Sequence, residues 1–461
     1  MFEFGRELRR LFGADSGLRP IQDGLTGGDS ALLELLDLRM LNTEGKAADV
    51  AAGRIGAKDK AQRQLEAAVV WREVARRSGD AAALRKAAAT AEAAAMGADR
   101  VRRPDAWARA RCEQAFCSLL GAELFGDDGL NAAAEVAFKE ARAIGRGGAA
   151  AALADVGLAT VEARRGLAVG DAQAARVASA RFDAPILALN ALIRRAASTR
   201  LLVAEAHATR IDVLAGWGAR LKDRDLLRIA LDEARIAENA LDRNYEPLTW
   251  ARAAALRGQV MSLLGEVTGE IEVLADAVST LAGALDELPR DHSPLDWARA
   301  QVGLAQALQA LGEATASERA YEQAVTCYDR ANVVLKDVPG LALRASAQSN
   351  RALCLARSAE LTGDLAVLDA AEAAFKIELS NEQASRDPVG WALAQVNLAR
   401  LYEARMEITG KDKGERAAAA MALSAAFDVF AEQGLRSFSV IAVEGLERLR
   451  TGAASTRRSA V

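Results

Sequence analysis

Histidine is almost absent from this chain, with two in 461 residues, and aromatic side chains make up only 5%. So few imidazoles remove most nucleophile-base pairs and most metal-ligand sets. The four cysteines, Cys112, Cys117, Cys327 and Cys354, show no C-x-x-C spacing and lie within helical patterns. A disulfide or zinc framework is therefore not expected, and reduced thiols in a cytoplasmic compartment are. Positive charge is not in excess either, since 59 Lys and Arg face 63 Asp and Glu for a net charge of −4. A phosphate backbone would find no basic field, which argues against nucleic acid as a partner. No apolar stretch is long enough to span a bilayer, and "MFEFGRELRR" lacks the apolar core of an export signal.

What the chain does have is alanine, arginine and a repeat. Hydrophobic residues make up 51% and run through the whole length, and small side chains at this density predict helices packed closely on helices. The preference for Arg over Lys suggests a GC-rich bacterial genome. Pro-x-x-Trp-Ala occurs at Pro104, Pro247, Pro294 and Pro388, at intervals of 143, 47 and 94 residues, close to multiples of 47. An acidic residue precedes each proline by 24 positions: Asp80, Asp223, Glu270 and Asp364. The same ladder passes near Ser317, Asp171, Asp128 and Lys411. A fixed period of this length is the mark of stacked helical hairpins, each burying its apolar face against its neighbours.

Each mark has a local reason. Proline suits the first helical turn, where its missing N–H is no loss, and Ser293 and Asp387 are placed to accept from the free donors there. Gly363 suits a helix C-cap and Asp364 the N-cap that follows. On the second helix of each unit, Ala277, Leu281 and Ala284, then Ala324, Tyr328 and Ala331, then Ala371 and Phe375, fall on one face that should be buried.

This grammar resembles the tetratricopeptide repeat (TPR) superfamily, through Asn397, Leu398, Ala399 and Tyr402, through Gly303, Leu304, Ala305 and Leu308, and through Ala324, Tyr328 and Ala331. The usual unit of that superfamily is shorter, and the Trp here stands further upstream than its pattern puts it. The resemblance implies an all-α, right-handed α-solenoid of about eight stacked antiparallel helical hairpins, with armadillo- or HEAT-type pairing as the other reading. The expected organisation is an amphipathic segment and linker at 1–28, a helical hairpin or cap at 29–57, the repeats at 58–450, and a disordered tail at 451–461.

No motif for chemistry survives inspection. "ITGKDKGE" has Arg405 where a P-loop needs glycine and Asp412 where it needs Ser or Thr, and no strand precedes "GRGGAAAA". His292 reads as a turn residue and His207 as a helix residue facing a neighbour. No enzyme, cofactor or metal is expected.

The resemblance implies a concave surface lined by the first helix of each unit, with ligand peptides lying along it. Polar residues recur there at fixed phase: Gln301, Gln348 and Gln395, with Asn350 and Asn397 two positions on; Arg252 and Arg299; Gln259, Gln306 and Arg400. Amides and the guanidinium fork could clamp a peptide backbone or a carboxylate, although the Gln ladder could equally bond helix to helix. The reading is a non-enzymatic interaction scaffold that binds a protein or peptide segment in its groove, or alternatively a ligand-responsive regulator that changes curvature. Phe4, Leu8, Leu11 and Phe12 share one helical face with arginines opposite, a second contact that could cap the repeats, bind a partner, or touch a membrane surface weakly through residues 2–12.

Overall fold

The computed structural model describes residues 30–54, 59–166, 172–192, 199–338, 341–380, 388–433 and 436–458. Phe4, Leu8, Leu11, Phe12, Asp171 and Asp387 lie outside them. Every regular element among the described residues is helical. A 3-10 turn at Ser30–Leu35 leads into α1 (Leu38–Gly53). Antiparallel pairs follow: α2 (Lys60–Ser78) with α3 (Ala81–Gly97), and α4 (Pro104–Phe125) with α5 (Asp128–Ile144). Next come α6 (Gly148–Gly166) with short α7 (Ala172–Ala180) and α8 (Asp183–Leu192), then α9 (Thr199–Leu221) with α10 (Arg224–Asn239). The series continues with α11 (Pro247–Thr268) and α12 (Ile271–Asp286), α13 (Pro294–Thr315) and α14 (Glu318–Leu335), and α15 (Ala342–Thr362) and α16 (Leu365–Ser380). It ends with α17 (Pro388–Thr409), α18 (Glu415–Glu432) and α19 (Arg436–Arg458). The described residues form a series of antiparallel helical pairs, a helical-repeat architecture.

The 47-residue period is visible in the backbone itself. Left-handed φ values fall at Lys222, Gly269, Ala316, Gly363 and Gly410, each 47 residues after the last, and at Gly79 and Gly126 with the same spacing. Each sits in the turn between the two helices of a hairpin, where such a residue lets the chain leave one helix and start the next. The acid after it then caps: Asp80 accepts from the Ala82 amide, Asp223 from Asp225 and Leu226, and Asp364 from Ala366. Close approach completes the hairpin. At Gly265 a Cβ would stand 2.7 Å from Leu274, so only glycine lets the two helices meet there.

The second-helix pattern is buried as its spacing requires. Leu281, Tyr328 and Phe375 are fully enclosed, and Phe138 of α5 occupies the same place between Ala134 and Ala141. Burying one such side chain contributes about 1.5–3 kcal/mol.

Trp107, Trp250 and Trp297 are half-buried, and an arginine seven positions upstream, Arg100, Arg243 and Arg290 respectively, lies over each ring. The guanidinium covers the indole face that packing leaves open.

Local details of the sequence reading also change. Ser293 does not accept at the start of α13; its hydroxyl donates to Asp296 at 2.5 Å. Residues 30–54 hold a 3-10 turn and one helix rather than two paired helices. Asp37 accepts from the Met40 amide and starts a helix in mid-segment, and Gly45 does not break it because the Trp71 ring packs 3.0 Å from where its Cβ would be. The single helix α1 then packs on α2. Between α6 and α9 one long helix is replaced by two short ones, since Pro185 has no N–H to continue a helix and fits only in the first turn of a new one. The expected tail from 451 is instead helix as far as Arg458, as Ala453 and Ala454 favour helix and no proline interrupts it.

The chain divides into two compact units, Met1–Ala307 with Val333–Ala342, and Leu308–Asn332 with Leu343–Val461. Within the first, the ends of the hairpin series meet. The α11 N-terminus has no side-chain cap of its own. Glu34 supplies one from 215 residues away, accepting from the Thr249 amide at 3.1 Å and from its hydroxyl. The Leu38 amide donates to the Asp291 carbonyl, and the buried Arg77 guanidinium donates to the carbonyls of Leu33 and Leu36.

Candidate functional site

The first unit holds a half-open chamber of about 1490 Å³ among α2, α4, α6, α9, α11 and α13. Its wall is partly apolar, through residues such as Phe116, Leu153, Val156, Leu202 and Leu256, and partly charged. The charges come from the inner faces of the first helices of the hairpins. Glu205, Arg252 and Arg299 are spaced by 47, as are Asp212 and Gln259. Repetition of the fold thus stacks like positions into columns along the wall.

Charges this enclosed are kept only if paired. Arg72 of α2 bonds Glu113 of α4 at 2.5 Å and Glu205 of α9 at 2.9 Å, and Arg76 bonds Glu205 at 2.7 Å. Glu73 of α2 holds Arg77 at 2.7 Å and Arg252 of α11 at 3.1 Å, and Arg252 reaches Asp296 of α13 at 2.6 Å. Arg299 of α13 bonds Glu123 of α4 at 2.8 Å. These contacts cross between helices far apart in sequence and close the wall.

Their electrostatic effect is large. Burial would lift Glu205, yet Arg72 and Arg76 bring its carboxyl down to about 2. Burial is likewise outweighed at Glu73, which Arg76, Arg252 and Arg77 hold well below the carboxylate range. Glu34 goes the other way, raised by burial against Arg252 and the Thr249 bonds.

Asp212 is different. Burial first, then Glu123, push its carboxyl up to about 7 against the pull of Arg299 and Arg164. The residue is exposed, and the surface it exposes is part of the half-open chamber wall.

Of the residues read from the sequence, Arg252, Gln259 and Arg299 line the chamber. Arg252 is committed to Asp296 and Glu73 and is not free to clamp a partner. Gln301 lies two positions past Arg299, about 200° around the helix, and so leaves the wall. It is 5% exposed, and its Oε1 has no hydrogen-bond partner among the described residues. Gln306 is exposed and lies off the chamber. Gln348, Asn350, Gln395, Asn397 and Arg400 belong to the second unit and are half-buried there. Burial, followed by Arg357 and Arg448, lowers the pKa of Arg400.

The sequence reading passed over Glu205 and Asp212, although both stand 47 residues before residues it chose. It also passed over the α2 charges, which no periodicity marks. His207 is bonded to Glu233 at 2.6 Å. All four cysteines are free and buried, and burial lifts the thiols of Cys112 and Cys354 to about 12.

Neither a protein-family model nor a curated protein matches the sequence. Solved structures do. The chain is similar to a Rap protein complexed with competence and sporulation factor, with a TM-score of 0.48 and 11% identity, covering 86% of this chain and 99% of that one. It is similar to aspartyl phosphate phosphatase F from Bacillus subtilis, with a TM-score of 0.37 and 12% identity over 86% of this chain and 95% of that one. It is also similar to the APC/C hetero-tetramer Cut9–Hcn1, with a TM-score of 0.17 and 14% identity over 84% and 93%. Among the described residues no helix is long and apolar enough to cross a membrane.

Proposed function

We propose that the protein is a non-enzymatic binding protein whose first unit holds a short peptide segment in its chamber. The chamber itself carries this reading. Its volume exceeds the roughly 300–1,000 Å³ of small-molecule pockets, and its wall alternates apolar patches with fixed charges, which suits a chain of mixed side chains better than a single compact ligand. A half-open chamber of this size has room for an extended peptide segment. Buried free thiols are in keeping with a reducing, cytoplasmic setting.

The test is thermal unfolding of the full chain with pools of synthetic peptides, comparing wild type with Leu256→Trp, which fills part of the chamber. A peptide that binds only the folded state at a hundred times its Kd stabilises by about 2.7 kcal/mol. The expected result is a raised melting temperature in wild type and a smaller or absent rise in the variant. Equal binding by both proteins would remove the chamber as the site.

A second reading, a ligand-responsive regulator, is favoured by the bonds of Arg72 and Arg76 to Glu205, which tie α2 to α9 across 133 and 129 residues. An occupant that competed for either partner would loosen α2. Faster amide exchange in α2 on peptide binding is the expected sign, and slower exchange throughout would favour a plain binder.

A further inference from the structure

We infer that the chamber wall around Asp212 is the subsite for a positively charged group of the bound peptide, a lysine or arginine side chain or a free amino terminus. This rests on the peptide reading above and specifies the chemistry of what the chamber takes.

The charges of the wall sort by partner. Every arginine lining the chamber has a carboxylate within 4 Å: Arg72, Arg76, Arg77 and Arg252 in the α2 network, Arg109 with Glu113, and Arg164 and Arg299 with Glu123. The acids are matched as well. Glu73, Glu123, Glu205 and Asp296 hold arginines, Glu34 is bonded to Thr249, and Glu66 to Gln62. Asp212 alone among the lining acids has neither ion pair nor hydrogen bond among the described residues. It nevertheless faces the cavity, in the middle of the α9 inner face, with Ile211 beside it and Thr209 one turn away.

A carboxylate left unpartnered in such an enclosure costs free energy in the empty protein. An arriving cation removes that cost, so the interaction is strongest with the occupant present. The charged groups acting on Asp212 are Glu123 from α4, Arg164 from α6 and Arg299 from α13. On the packed neighbour α10, Glu233 is engaged with His207 and Arg210. Both arginines near Asp212 are already drawn to Glu123, which leaves the Asp212 side of the wall as the acidic one. The raised carboxyl adds a proton switch: at pH 8 the subsite is charged, and at pH 6 it is mostly neutral.

The probe is a panel of apolar hexapeptides with one lysine moved through the sequence. Each is paired with its norleucine twin and made with free and with acetylated amino termini, and binding is measured by calorimetry on the full chain. At pH 8 wild type should bind a lysine peptide at least tenfold more tightly than its twin, or a free amino terminus tenfold more tightly than the acetylated one; which pair differs identifies the source of the cation. Asp212→Asn, which keeps the side-chain shape, should erase the difference. Wild type needs no substitution for a second check. Lysine stays charged throughout, so affinity for the lysine peptide should fall about tenfold from pH 8 to pH 6 as a carboxyl titrating at about 7 takes up its proton. A preference that persists in Asp212→Asn, or is absent from wild type, overturns the assignment of Asp212 and leaves the chamber as a peptide site. Absence of any peptide binding up to about 1 mM overturns the peptide reading and this inference with it.

Discussion

The two units use one hairpin grammar and spend their charges differently. In the first, ion pairs join residues 129, 133, 176 and 179 apart in the chain: Arg76 and Arg72 with Glu205, Arg299 with Glu123, and Arg252 with Glu73. In the second they are nearer: Arg351 to Asp329 over 22 residues, Arg405 to Asp369 over 36, Arg448 to Glu403 over 45. Those are bonds between neighbouring helices of the kind any helical stack makes. The long-range pairs exist only where a hairpin series returns on itself. The repeat alone therefore builds a stack, and closure of the stack builds a chamber.

The largest expected effect separates the two kinds of pair. Arg72→Met leaves Glu113, with a side chain 0% exposed, holding an enclosed charge with only Arg109 nearby, and should cost about 3–5 kcal/mol of unfolding free energy in urea. Arg351→Met removes a pair 29% and 53% exposed and should cost less than about 1 kcal/mol. Similar losses for both would break the distinction between the units.

An intermediate effect isolates the one unpaired acid of the chamber. Burial raises the Asp212 carboxyl to about 7, so between roughly pH 4 and 7 the folded chain keeps a proton that the unfolded chain has released. Stability from this group falls as pH rises through that window and stays low above it. Asp212→Asn should accordingly raise the melting temperature at pH 8 and leave it unchanged near pH 4. A lower melting temperature at pH 8 would mean that Asp212 is already paired in the empty protein.

The smallest effect tests what the units share. Lys222 in the first unit and Ala316 in the second have left-handed φ where the equivalent turns have glycine. Replacing either by glycine should stabilise by about 0.5–1 kcal/mol, measured by thermal unfolding. A loss at either position would show that its turn is not equivalent to the others.

Much of this was legible in the chain. Gly363 and Asp364 announced a turn and a cap because both act through bonds to backbone a few residues away. Leu281, Tyr328 and Phe375 announced a buried face because helical geometry fixes which positions coincide. Asp37 and Pro185 were missed as element boundaries, though each acts locally and could have been read. Glu205 and Asp212 could also have been found by extending the period one unit back. Arg72, Glu73 and Arg76 could not: nothing near them in sequence indicates that Glu205, Arg252 and Glu113 will be their partners.

The sequence by itself determined the hairpin, its period, its left-handed turns and its buried second-helix face, since these depend on hydrogen bonds and side-chain spacings within one or two units. Only the tertiary structure decided that α2 meets α9, α11 and α13, that the arginines of the wall are neutralised, and that Asp212 is left without a partner. The physical reason is range. A repeat specifies what each unit does to the next, whereas the electrostatics of an enclosed charge depend on every group around it, including those that arrive from more than a hundred residues away.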